Sequence, residues 1–527
     1  MKKRIEGEIE VDEDEKRGEE KEEGVKSMVI EFELKAQLKC SGSLSGISPS
    51  EIAEFVSVCN HELLKKGAPL GSGAEIVWWE VGAEKVGLKI VSDRFVRAHD
   101  ALLRLKNEFG KLLGKHRIGI RGVEIEDYKI VLEWDESEGL KIPKLPFIRG
   151  TKQLNGKLEL LLDLDEVSLE KRVPDRIIRL LEEKKEAIRW RGKKEHWELL
   201  FESKPRPFYF DKDPSEELIN RGWMRHGAGR GQWIYGPQIT KIFRAFEKIL
   251  LDEVCKPRGY EEMIFPKLIP WDVWKRSGHA KAIYPEAYYV CAPKTRDPEF
   301  WEDVMDYYKV TNEVPIEMIM ERIENIGGMC YAQCPSFWGF LQGKILPDEI
   351  LPIRVFDRSG TSHRYESGGV HGIERLDEFH RVELVWIGTK QQVIEHATLL
   401  QEKYRGIFNS ILEIEWREAW VTPWFMAQEG KGGLAEVREV GTVDYEAVLP
   451  YSGKWLEFQN VSVNGDKYPK GFSVKLQSGE ELWSGCSGVG LERWAAVFLG
   501  QKGFDFDKWP EKFRSIIGEL PEVFRFL

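Results

Sequence analysis

The chain is 527 residues long, with 42% hydrophobic and 32% charged residues and a formal net charge of −11. That length supports two or three globular domains, and no apolar run of eighteen residues occurs, which excludes a membrane-spanning helix. The acidic balance argues against a uniformly basic nucleic-acid binder and leaves room only for local positive patches.

Residues 1–27 are dense in both charge signs and lack an apolar h-region, so a disordered tail, no secretory signal and a cytoplasmic location are expected. Val29–Cys40 alternates as a strand, and Ser48-Pro49-Ser50 caps a helix to about Lys66. A hairpin over 75–82 and 84–91, a helix over 93–115, strand signals at 117–134 and 157–163, and a helix over 173–191 complete an N-terminal α+β domain, 28–200. Two basic stretches in it, Lys111–Arg117 and Arg189–Lys194 with Trp190 between arginines, are candidate nucleic-acid contacts; solvated charge is the plainer reading of each. The proline-bearing run 201–214 reads as a linker to a second domain, 215–527. There, a helix over 237–255 precedes Gly259–Pro266, half-polar strands predict an antiparallel sheet with helices on one face, and Thr389 with Gln392 opens a helix to about Trp416.

The chemistry is densest at 363–383, read as a strand with Arg364 and Glu366, a glycine-bearing turn, and a return strand with Arg375, Phe379, Arg381 and Glu383. Period-2 alternation puts each set on one face. Arginines for phosphates, a ring to stack on a base and a carboxylate to read its edge suit ATP. Downstream, 482–499 reads as a strand spaced by Gly485, Gly488 and Gly490, where a ligand can approach the backbone, running into an apolar helix with Arg493 on its first turn. Glu457 and Asn460 lie on the alternating strand 455–462, where a carboxylate could hold Mg²⁺. The glycine-rich stretch 428–434 reads equally as a lid or a plain connector.

In this order the two elements resemble motifs 2 and 3 of a class II aminoacyl-tRNA synthetase, with motif 1 at 237–266. The return strand Arg375–Leu384 resembles the seryl branch, closest to the zinc-dependent seryl-tRNA synthetases of methanogenic archaea. Other seryl synthetases carry a long coiled-coil arm, and no sustained heptads occur here. The likeness covers 215–527 by motif and 28–200 by general layout.

The resemblance implies a class II antiparallel-sheet catalytic domain flanked by helices, plus a tRNA-binding domain, working as a homodimer. It implies activation of L-serine by ATP and transfer to tRNA(Ser), and leaves open whether tRNA(Sec) is a further acceptor. Arg364 and Arg493 would be catalytic, with Arg364 on the α-phosphate and Arg375 and Arg493 on the β/γ end. Glu366, Leu376, Phe379 and Glu457 would complete the ATP site, and Ala332, Arg381, Glu383 and Asn460 would bind serine. One Zn²⁺ would be held by Cys334, Glu383 and Cys486, and Mg²⁺ would accompany ATP.

Seven unevenly spaced cysteines do not suggest a disulfide framework, and Cys40, Cys59, Cys255 and Cys291 read as small buried residues. By spacing alone Cys330 and Cys334 would be the metal pair; only the resemblance promotes Glu383 in place of Cys330. Three protein ligands leave one zinc position open, as in catalytic sites. Other readings are threonyl or alanyl specificity, an amino acid:carrier-protein ligase, and a non-catalytic tRNA-binding paralogue. The N-terminal domain counts against the ligase, and retention of Arg364, Glu366 and Arg493 counts against the paralogue.

Overall fold

In the computed structural model, which describes residues 29–134, 142–154, 156–189, 197–366, 369–422 and 439–523, the chain divides into two compact units between Gly192 and Lys193. The first is built on an antiparallel sheet in the order Ala74–Val81, Lys85–Ser92, Val29–Cys40, Ile120–Glu133, Lys157–Leu162, Ile148–Leu154. Alternation in the central strand buries Phe32, Leu34, Ala36 and Leu38 with Leu102, Leu105 and Phe109 of the helix Ala98–Gly114 and Ile177, Ile178 and Leu181 of the helix Val173–Arg189. Each large side chain withdrawn from water contributes about 1.5–3 kcal/mol. The other face interleaves charges: Glu33 lies between Lys89 and Lys129 at 2.7 and 2.9 Å, and Lys35 meets Glu126 at 2.8 Å. This face is therefore close to self-neutralised. The edge strand Ile148–Leu154 carries no apolar alternation, which is why sequence periodicity passes over it.

The second unit holds a nine-stranded sheet. Its main path runs Glu261–Glu262, Ile353–Asp357, Glu378–Gly388, Trp483–Gly490, Lys454–Gly465, Gly441–Leu449, Trp416–Val421, Trp197–Glu202, with Thr361–His363 paired to Glu378–Gly388 off that path. All pairings are antiparallel except that of the two-residue edge strand Glu261–Glu262. On Glu378–Gly388, the residues Val382, Leu384 and Trp386 join the main core with the helices Pro237–Leu250, Lys390–Ser410 and Leu491–Lys502, leaving Arg381 and Glu383 for the opposite face.

Three expectations are corrected. Trp197–Glu202 pairs with Trp416–Val421, so it belongs to the second sheet, and neither the boundary at 200 nor a linker of 201–214 matches the division. The helix opened by the Thr389–Gln392 capping box ends at Ser410, and Trp416 begins a strand of aromatic and branched residues. Residues 363–383 do not form a long hairpin: the first strand stops at His363 and the return strand starts at Glu378. Arg364, Glu366 and Arg375 thus lie on a connecting loop, because its polar contacts replace the sheet ladder there.

Candidate active site

Glu383 lies in the middle of the sheet, with its backbone paired to Asp357 on one side and Gly488 on the other. The same register sets Cys486 one pleat along the neighbouring strand, and Cys334 opens the helix Cys334–Leu341 packed over that face. Ligand atoms of Cys334, Glu383 and Cys486 all lie within 4.8 Å of one another. Glu383 is fully buried and Cys486 half-buried. Both carboxylate oxygens of Glu383 lack a well-aligned hydrogen bond, although Oε2 is 2.7 Å from Nε of Arg381.

Burial pushes the Glu383 carboxyl up, against the pull of Arg381. The Cys334 thiol is held well above its ordinary value by its hydrogen bond to the Cys486 sulfur and then by burial. Two sulfurs and a carboxylate brought together in a buried space form a donor set that a soft or borderline divalent cation would satisfy. The residues fit zinc. Cys330 is not part of the group: it is buried, its Sγ donates to the Ala332 carbonyl at 3.3 Å, and its backbone ties His363 to Lys267. Among the described residues a second group, Asp213, His371 and Glu374, also converges. There Asp213 already caps the helix Pro214–Asn220 and Glu374 already accepts from Tyr451 Oη at 2.7 Å, so internal hydrogen bonds account for it.

Two glycines of Trp483–Gly490 make room for neighbouring side chains, a role different from the ligand approach expected of them. A Cβ at Gly485 would collide with the Trp386 ring, and one at Gly488 would collide with the Arg381 guanidinium. Arg381 therefore lies flat over the strand beside Glu383.

The loop between Thr361–His363 and Glu378–Gly388 is organised by Asp377, which sequence reasoning passed over. Its backbone carbonyl accepts from the Arg364 N–H at 2.8 Å and its carboxylate from the Glu366 N–H at 2.9 Å. Tyr288 Oη and Arg230 Nη1 each donate to Asp377 Oδ2 at 2.6 Å, and Arg230 stacks on Tyr365 at 4.0 Å. Nothing in the local pattern distinguishes Asp377 from the acids beside it; its burial to 1% exposure does. The Arg364 guanidinium faces Glu286 at 3.2 Å and lies 5.3 Å from the Tyr331 ring. Arg493 reaches the loop from its helix, donating Nε to the Glu374 carbonyl at 3.1 Å and Nη1 to Glu457 Oε2 at 2.8 Å. The Arg375 N–H returns to the His371 carbonyl, while Leu376 is buried in the main core and Phe379 packs partly against it. Asn460 Oδ1 accepts from the Gly488 N–H at 3.3 Å, on the strand beside Cys486.

Elsewhere the expectations divide. Of the Lys111–Arg117 patch, Lys111 meets Glu108 at 2.6 Å and His116 meets Glu51 at 3.1 Å, which leaves a patch only weakly positive. The Trp190 patch beyond Arg189 and the stretch 428–434 lie outside the described residues, as does the tail 1–28. Cys291 is exposed, contrary to expectation, on the outer strand of a small sheet. No helix among the described residues is long and apolar enough to cross a membrane.

A tRNA-binding domain family matches residues 30–183, and the tRNA synthetase class II core domain (G, H, P, S and T) matches 332–502. The type-2 serine–tRNA ligase of Methanothrix thermoacetophila is 59% identical over 94% of this chain and 100% of its own length. That of Methanococcoides burtonii is 56% identical over 95% and 100%. Among solved structures, M. kandleri SerRS in complex with A. aeolicus tRNASec superposes with a TM-score of 0.81 at 32% identity, covering 95% of this chain and 99% of that one.

Proposed function

The chain belongs to the type-2 serine–tRNA ligases, class II enzymes that join serine to tRNA at the expense of ATP, and we propose that Arg364, Glu383 and their neighbours carry the two halves of that reaction. The observation that supports this most is the convergence of Cys334, Glu383 and Cys486 beside Arg381, with a buried carboxylate whose oxygens lack a well-aligned hydrogen bond. Zinc held by these three residues would leave one position open and supply a Lewis acid to take the serine α-amine. Arg381, the Ala332 carbonyl and Asn460 would surround the amino acid, and a donor-bearing side chain would be favoured over one without. The threonyl, alanyl, carrier-ligase and non-catalytic readings are not favoured by the comparisons.

The serine carboxylate attacks the α-phosphorus of ATP, the bond to the bridging oxygen breaks, and pyrophosphate leaves. Arg364 would neutralise the charge developing on the α-phosphoryl oxygens, exchanging Glu286 for the phosphate. Arg493 and Arg375 would hold the β/γ end, with Mg²⁺ on Glu457, so that the Arg493–Glu457 pair opens as nucleotide enters. Glu366 would read the adenine amino group, and Phe379 and Leu376 would flank the ring. No side-chain nucleophile is required, since positioning and charge neutralisation carry the step. The 3′-terminal hydroxyl of tRNA then attacks the acyl carbon and AMP departs.

We assign tRNA(Ser) as acceptor and, because the M. kandleri SerRS is bound to tRNASec, tRNA(Sec) as a second one. A homodimer paired through 237–266 and a cytoplasmic location complete the proposal. Serine-dependent ATP–pyrophosphate exchange, with threonine, alanine and glycine as competitors, tests it. Exchange with serine alone, lost on zinc removal and restored by zinc, is expected; serine activation that survives full zinc removal sinks the metal role.

A further inference from the structure

Each of the three converging ligands touches one polar group that is not itself a ligand. Arg381 Nε faces Glu383, Asn464 Nδ2 donates to Cys486 Sγ at 3.4 Å, and Cys334 Sγ donates to Tyr468 Oη at 3.7 Å. The last two come from one five-residue stretch joining the strand Lys454–Gly465 to the helix Lys467–Gly471, turned at Gly465 with φ of 60°. Both are buried, Asn464 to 5% and Tyr468 to 2% exposure, and Tyr468 is fixed by stacking on Trp338 at 5.9 Å. Sulfur is a weak acceptor, so a buried amide aimed at one sulfur and a buried phenol set against the other are poorly used unless the sulfurs carry charge.

We infer that Asn464 and Tyr468 are positioning residues that hold Cys334 and Cys486 as metal-bound thiolates, setting how tightly zinc is held and how much negative charge reaches it. This rests on the zinc reading above. A metal-bound Cys334 would have no proton to donate, so its contact with Tyr468 would run the other way, the phenol O–H donating to sulfur. Asn464 already donates and keeps doing so. Charge drawn off both sulfurs would leave a bound metal a stronger acid toward the serine amine, while the fixed donors would hold the ligand rotamers.

The test uses the full chain with Tyr468→Phe and Asn464→Leu, which keep shape and remove the donors. Zinc affinity is read by chelator competition, and the sulfur-to-metal charge-transfer band is read with Co²⁺. Each variant should bind zinc about 10–100-fold more weakly than the parent and shift the band to lower energy, with circular dichroism and melting temperature retained. A purely structural role would lower the melting temperature and leave the band in place. Unchanged affinity and band in a folded Tyr468→Phe chain overturn the inference while leaving zinc binding by the parent intact. A parent that binds neither zinc nor Co²⁺, or a Cys486→Ser chain that binds them as well as the parent, overturns the zinc reading itself.

Discussion

Glu383 and Arg364, assigned above to the two halves of one reaction, are held by different means. Glu383 is fixed by ladder bonds to strands on both sides and is fully buried, with Arg381 Nε 2.7 Å from its Oε2. Arg364 lies past the end of a three-residue strand, its backbone tied to Asp377 and its guanidinium already matched to Glu286. On the proposed function, the amino-acid side is held rigid by the sheet, whereas the nucleotide side is paired internally and would exchange partners as ATP arrives. Rigidity suits selection of a small substrate, where a fraction of an ångström decides; exchange suits a polyanion, whose charge would otherwise leave cations uncompensated between turnovers.

Glu383→Ala should abolish zinc retention and serine-dependent exchange together, as measured by metal analysis and pyrophosphate exchange on one preparation. Arg364→Ala should lower kcat by about 10²–10³ while zinc content is unchanged, separating the two sides; parallel loss of zinc would join them again. Asp377→Ala should release the loop, raise KM for ATP and cost about 1–3 kcal/mol, read by denaturant unfolding, with KM for serine much less affected. Gly488→Ala should displace Arg381 from over the strand, costing about 1–3 kcal/mol and weakening serine more than ATP. The smallest effect concerns pH. Burial lowers the proton affinity of His380, but the hydrogen bond and charge of Glu492, 2.8 Å away, more than reverse this and raise it. A raised histidine stabilises the fold fully below its ordinary value of 6.5 and loses that contribution as pH rises through the raised one. Stability should therefore fall as pH rises above 6.5, and His380→Asn should flatten the slope.

Residues adjacent in sequence were legible where local periodicity governs: the alternation that buries Val382, Leu384 and Trp386, the Thr389–Gln392 capping box, and the glycine-spaced strand leading into the helix of Arg493. Cysteine spacing pointed to Cys330, four residues from Cys334, yet its sulfur turns to the Ala332 carbonyl; only strand register brings Cys486 and Glu383 to Cys334. Asp377, Glu286, Asn464 and Tyr468 look like ordinary polar residues along the chain.

By itself the sequence determined the class of sheet and helices, the order of the motifs and the residue types available for phosphate and metal, because period and residue chemistry are local properties. Tertiary structure alone decided which carboxylate is dry, which sulfur faces another, and that Trp197–Glu202 completes the second sheet. Those depend on burial and cross-strand register, which bring together residues distant along the chain.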